Sequence, residues 1–272
     1  MRGIIVGAEV RGPMGVVFAV VNQKGGVGKT TTTISLGAAL AMHGRRTLVV
    51  DADPQANATT ALGLQQGETG GLYDSLVEEA PLEAAVTSTV VEGLYVVPTN
   101  GDLAGAEVEL VPAMAREYRM RRLLEGVRER FDVVLIDCPP SLGLLTVNAL
   151  TAADEVIIPV QCEYLALEGL GHLSQTIRLV QANLNPSLRV RGIVLTMFDG
   201  RTNLARQVED EVRKHFENTF RVVIPRSVRL SEAPSFGQPI QLYDPRSPGA
   251  IAYNHLAEEL MESMPMRETP HV

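Results

Sequence analysis

A strand-like apolar run, residues 16–21, passes without a break into Asn22-Gln23-Lys24-Gly25-Gly26-Val27-Gly28-Lys29-Thr30-Thr31. A helical stretch follows, from about residue 30 to residue 43, and stops at Gly44, a favourable helix end. No other stretch limits the fold so strongly. Gly25, Gly26 and Gly28 let the backbone curl so that successive N–H groups point inward at an anion. The start of the helix adds partial positive charge at the same place. A strand that runs straight into such a loop and helix belongs to a sheet covered by helices.

The rest of the chain repeats that alternation. Strands are expected near residues 47–51, 93–98, 131–137, 155–160, 190–197 and 222–224, and helices near 113–130, 167–182, 204–218 and 250–264. Strands written as unbroken Val/Ile/Leu runs are buried on both faces, which makes the sheet mostly parallel. The expected fold is α/β: one doubly wound, mostly parallel sheet with helices on both faces. With 272 residues and no Pro/Gly linker or internal repeat, the chain reads as a single domain over 15–264. Everything recognisable begins after Met14, so 1–14 reads as an N-terminal extension and Met14 as a candidate start. Residues 265–272 read as a flexible tail. With no Trp and only 4 % aromatic residues, the core has to be built from Val, Leu, Ile and Ala.

Lysine is rare. Of 24 basic residues only Lys24, Lys29 and Lys214 are lysines, and two of these lie in the glycine loop. Lysine is a compact ammonium where arginine is a planar fork, so the two loop positions point to phosphate. In a phosphate-binding loop of this kind Lys29 bridges the β- and γ-phosphates and the Thr30 hydroxyl holds Mg²⁺. Gln23 stands where the common form of the motif has its first glycine, and Lys24 follows it.

The form K-G-G-x-G-K-T-T resembles the deviant Walker A loop of the ParA/MinD group of ATPases. That resemblance implies ATP or ADP with Mg²⁺, held by Lys24, Gly25, Gly26, Val27, Gly28, Lys29, Thr30 and Thr31. It also implies an ATP-dependent homodimer in which Lys24 reaches the partner's nucleotide. Asp51-Ala52-Asp53-Pro54-Gln55 is similar to the family's first switch segment. Carried across, Asp53 orients the attacking water and Asp51 supports the Mg²⁺ shell. Residues 133–137 followed by Cys138-Pro139-Pro140 have Walker B form, four apolar residues and then an acid that reaches the metal, here Asp137. Ser141-Leu142-Gly143 then corresponds to the second switch, which senses the γ-phosphate. Cys138 and Cys162 lack the glycine-flanked setting of the related nitrogenase iron protein, so no iron–sulfur cluster is expected.

The resemblance extends from residue 16 to about 262, and the C-terminal half resembles ParA/Soj partitioning proteins more than MinD. Segments 195–204 and 224–237 carry it. By analogy Pro225 and Ser227 lie beside the adenine, Ser227 standing where relatives often have Asn. Arg201, Arg206, Arg226 and Arg229 are candidates for contacts to DNA phosphates. The net charge of −8 argues against a large nucleic-acid footprint, yet residues 178–246 hold eleven basic against seven acidic side chains, an excess of four. The implied function is DNA partitioning: an ATP-bound dimer on non-specific double-stranded DNA, released when a ParB-type partner stimulates hydrolysis, in a cytoplasmic, nucleoid-associated protein. The same core would serve a scaffold that positions another protein cargo. A membrane-cycling, MinD-like role is disfavoured because the last helix presents Glu258, Glu259 and Glu262, which an anionic membrane repels. No apolar run approaches the roughly 20 residues needed to span a bilayer.

Overall fold

The structure is a computed structural model that describes residues 14–65, 71–163, 166–262 and 264, with side chains omitted for 166–168. The extension expected over 1–14, Met14 apart, and the tail expected over 265–272 lie outside the described residues.

Among the described residues eight strands form one sheet: β1 (Val16–Val20), β2 (Thr47–Asp51), β3 (Thr87–Ser88), β4 (Leu94–Val97), β5 (Val133–Asp137), β6 (Glu155–Gln161), β7 (Arg189–Phe198) and β8 (Thr219–Pro225). Their spatial order is β3-β4-β2-β5-β1-β6-β7-β8. Neighbours are parallel throughout, except that the two-residue β3 runs antiparallel to β4 at one edge. β1 lies in the interior between β5 and β6; the chain first builds outward from it through β2 on one side, and after β5 crosses to β6 and builds outward on the other. The carboxyl end of β1 is therefore a topological switch point, where ligands of open α/β sheets bind.

Side-chain alternation divides the core in two. Val17, Ala19, Leu48, Val50, Val134 and Ile136 pack on one face. Phe18, Val20, Val49, Val133 and Leu135 pack on the other, against the helix Lys29–Met42 and the C-terminal helix Pro248–Met261. Both faces are dry, which is why the strands read as unbroken apolar runs. Among the described residues no helix is long and apolar enough to cross a membrane.

Three expectations are corrected. The helix expected over 113–130 is broken into a 3₁₀ turn at Arg116–Tyr118, an α-helix at Arg119–Glu125 and a second 3₁₀ turn at Arg128–Arg130. Ala115 takes a left-handed φ of 51° just before it. The buried Asn148 side chain then binds the backbone itself, donating to the Arg116 carbonyl at 2.9 Å and accepting from the Met120 N–H at 3.1 Å. The helix expected over 204–218 ends early, at His215. The short strand expected at 222–224 lengthens to Thr219–Pro225, because pairing with β7 satisfies its backbone.

Candidate nucleotide-binding site

The loop between β1 and the helix Lys29–Met42 is held open by its neighbours on both sides. The Asn22 amide, buried at the end of β1, donates to the Pro159 carbonyl of β6 at 2.7 Å. Its Oδ1 accepts from the Lys24 N–H at 2.9 Å. The Thr196 hydroxyl of β7 donates to the Val27 carbonyl at 2.8 Å. Gly26 and Gly28 have φ of 74° and 87°, a region that costs side-chain-bearing residues about 1–2 kcal/mol. A Cβ built on Gly26 meets nothing within 4 Å, so that side of the loop is open space. Gly28 sits at the N-cap, and no acidic residue occupies the first turn of the helix. The helix start therefore offers its free N–H groups to an anion.

Lys29 is buried, and its Nζ donates to the Lys24 carbonyl at 3.2 Å. Burial lowers its affinity for a proton, while Asp137, Cys138 and Asp53 act in the opposite direction. Lys24 points elsewhere: its Nζ is 3.0 Å from Glu163 Oε2, with both side chains close to half exposed.

Asp51 and Asp137 end the neighbouring strands β2 and β5 as register partners, both fully buried. Burial pushes both carboxyls above the ordinary carboxylate range, and the Asp51 charge raises Asp137 further. The two oxygens of Asp137 differ. Oδ1 accepts from the Thr33 hydroxyl at 3.0 Å, whereas Oδ2 is buried and makes no hydrogen bond of ordinary geometry, although the Thr30 hydroxyl acts on the carboxyl. An unpartnered carboxylate oxygen in the interior is costly. Here it lies at the carboxyl edge of the sheet, beside Lys29 and Thr30, whose hydroxyl opposes the rise of Asp137. This donor set fits a hard divalent cation that is also bound to phosphate oxygens. Asp53 follows on the same edge, 6 % exposed, with Oδ1 accepting from the Gln55 N–H at 3.0 Å.

Next to the loop is a cleft of about 350 Å³ lined by Gly28, Thr31, Pro225, Ser227 and Tyr253, among others. Pro225 and Ser227 are thus brought to the loop from the far end of β8. The buried Tyr253 of the C-terminal helix lies with its hydroxyl 3.1 Å from that of Thr32.

Of the four arginines, Arg201, Arg206 and Arg226 gather where β7 and β8 end. Arg201 grips Asp199 through two bonds of 2.8 and 2.7 Å, and Arg206 donates to the Gly200 carbonyl at 3.1 and 2.8 Å. Arg226 is exposed, and its N–H donates to the Phe198 carbonyl at 3.0 Å. Arg229 is bound to Glu232 at 2.9 Å and lies 3.6 Å from Asp244.

Sequence reasoning missed Asn22, Thr33, Thr59 and Glu163. Each acts through a tertiary contact with a residue 8 to 139 positions away, so no local motif marks it.

A family model described as an AAA domain matches residues 15–190. The chain is 57 % identical to the sporulation initiation inhibitor protein Soj of Bacillus subtilis, over 91 % of this chain and 98 % of that one. It is 53 % identical to the chromosome partitioning protein ParA of Myxococcus xanthus, over 94 % of this chain and 90 % of that one. Among solved structures, cobyrinic acid a,c-diamide synthase from Mycobacterium smegmatis with bound ADP and magnesium superposes with a TM-score of 0.81 at 41 % identity, over 94 % of this chain and 100 % of that one.

Proposed function

The chain belongs to the Soj/ParA family of chromosome-partitioning ATPases, and from that premise we propose that it is a nucleotide-gated switch that carries DNA. It hydrolyses ATP to ADP and phosphate. Gly25, Gly26, Val27 and Gly28 turn their N–H groups to the phosphates, and Lys29 spans the β- and γ-groups. Thr30 and Asp137 hold Mg²⁺, which screens the phosphate charge as the bond to the leaving group breaks. Asp53 orients the attacking water, Thr31 lines the nucleotide cleft, and Pro225 and Ser227 line the base.

In the ATP state two copies join face to face, with Lys24 of each reaching the other's phosphates. The dimer binds double-stranded DNA without sequence preference through Arg201, Arg206, Arg226 and Arg229. A ParB-type partner stimulates hydrolysis and releases the dimer, so the protein cycles on and off the nucleoid. One observation carries the catalytic half of the reading: the buried, unpartnered Asp137 Oδ2 beside Lys29, an arrangement that a cation and phosphate complete. The solved relative held with ADP and magnesium supports the ligands. Its name denotes a synthase, but the chain is less similar to it than to Soj, 41 % against 57 % identity.

The net charge of −8 and the pairing of Arg201 and Arg229 with acids favour a second reading, a scaffold that positions protein cargo. Binding to random-sequence duplex DNA across a salt series separates the two. Partitioning requires tight, salt-sensitive binding with ATP, none with ADP, and longer retention for Asp53→Ala with ATP. Absence of ATP-dependent binding at low salt removes DNA from the reading and leaves the scaffold.

A further inference from the structure

Asp51 is fully buried, and its oxygens are already engaged inside the protein. Oδ2 accepts from the Thr59 N–H at 2.7 Å and from the Thr59 hydroxyl at 2.6 Å. Oδ1 accepts a longer bond, 3.3 Å, from the Asp53 N–H. The Thr59 hydroxyl in turn accepts from the Thr99 N–H, just past β4, at 3.0 Å. Thr59 is itself fully buried and lies in the five-residue helix Asn57–Ala61. One carboxylate thus holds both ends of the segment that carries Asp53.

That segment does not hold its shape alone. A helix of five residues is far below the roughly twelve at which isolated helices become marginal. Ala56, which starts it, is in the left-handed region at φ 53°, a conformation that persists only where the surroundings impose it. Charge-assisted bonds from two donors of one residue fix direction as well as distance. Asp137, by contrast, keeps an oxygen free.

We propose that Asp51 is a positioning residue: paired with Thr59 it anchors the loop that presents Asp53, and it acts through Asp53 rather than in the metal shell. This rests on the reading of Asp53 as the residue that orients water. Thr59→Val removes the hydroxyl and keeps the shape. Thr59→Ser restores the hydroxyl. Asp51→Asn weakens the acceptor, and Asp53→Ala tests the underlying reading.

The experiment is single-turnover ATP hydrolysis by the full chain, with ATP affinity and the Mg²⁺ half-saturation measured alongside. Thr59→Val and Asp51→Asn are expected to hydrolyse about tenfold to a hundredfold more slowly, as a displaced reacting group does. Their ATP affinity and Mg²⁺ half-saturation stay within about twofold of wild type, and Thr59→Ser recovers the rate. A wild-type rate in Thr59→Val overturns the proposal. So does parallel loss of ATP affinity and rate in Thr59→Val, the mark of a purely structural role. A raised Mg²⁺ half-saturation in Asp51→Asn, with the rate recovered by excess Mg²⁺, also overturns it and places Asp51 in the metal shell. Normal hydrolysis by Asp53→Ala defeats the reading of Asp53 itself. A slow Asp53→Ala beside an unaffected Thr59→Val defeats the anchor alone.

Discussion

Replacing Asp137 by Asn is expected to stabilise the resting protein while abolishing its response to Mg²⁺ and nucleotide. The side chain is fully buried, faces the equally buried Asp51 across one strand spacing, and leaves Oδ2 unpartnered. Burial, then the Asp51 charge, lifts its pKa from the ordinary 3.8 to about 8. A carboxyl whose pKa is higher folded than unfolded binds more protons in the native state, so stability is lost as pH rises through that interval. Asn carries no such slope. It keeps an oxygen for the Thr33 hydroxyl and places an NH₂ donor beside the Asp51 carboxylate.

An unpartnered buried polar group costs about 1–3 kcal/mol, more when charged. Taking about 2 kcal/mol, and roughly 2–4 °C per kcal/mol for a chain of this size, the variant should melt about 4–8 °C higher at about pH 8. At about pH 5.5 the folded carboxyl is protonated while the unfolded one still ionises, so the gain should be clearly smaller than at about pH 8 and vanish only below about pH 4. Thermal unfolding without ligand at the two pH values measures this, and repetition with Mg²⁺ and ADP should raise the midpoint of the wild type only. A variant that melts below wild type at the higher pH refutes the reasoning, as does an equal gain at both.

The loop's support, the C-terminal helix and the arginines give four further expectations. Asn22→Ala leaves the Pro159 carbonyl and Lys24 N–H without the partners they had; denaturant melts should show a loss of about 2–4 kcal/mol, which Asn22→Asp does not recover because a carboxylate cannot donate to a carbonyl. Tyr253→Phe removes only the buried hydroxyl contact to Thr32, so the same melts should show a loss of about 1 kcal/mol with the fold intact. For DNA, Arg226→Ala should flatten the dependence of log K on log salt by about 1.8, since each neutralised phosphate contributes about 0.9 and a dimer carries the residue twice. Arg229→Ala should change that slope less, because Glu232 and Asp244 already occupy its guanidinium.

The loop and the strands that meet it were legible because their signals are local. Gly25 to Thr31 sit in consecutive positions, and Asp51 and Asp137 each end an apolar run that shows where the sheet stops. The helix Leu144–Ala152 was not legible, since Leu145, Ala149, Leu150 and most of its other residues are buried all round and leave no amphipathic stripe. The short helices Asn57–Ala61, Leu72–Val77 and Leu103–Glu109 fall below the length at which periodicity speaks. The amphipathic pattern of 113–130 was real, but it could not reveal that Asn148, far along the chain, interrupts the backbone. The bonds from Thr59 to Asp51 left no mark either: from sequence alone an acid at a strand end reads as a metal ligand, and only the fold shows Thr59 on its oxygen.

The two lysines of the loop differ in a way that matches the uses proposed for them. The pair between Lys24 and Glu163 is close to half exposed, and exposed pairs of this kind hold by about 0–1 kcal/mol. Such a bond sets no real barrier to Lys24 leaving for a partner's phosphates, where a multiply charged acceptor in a closing interface holds it better. Lys29 has no comparable freedom. It is 6 % exposed, rests on the Lys24 carbonyl and is surrounded by Asp137 and Asp53. Its position is therefore set before ligand arrives, and phosphate entering the loop replaces a carbonyl with a full negative charge. One lysine is thus fixed in place and the other lightly held, the asymmetry that the proposed ATP-dependent dimer requires.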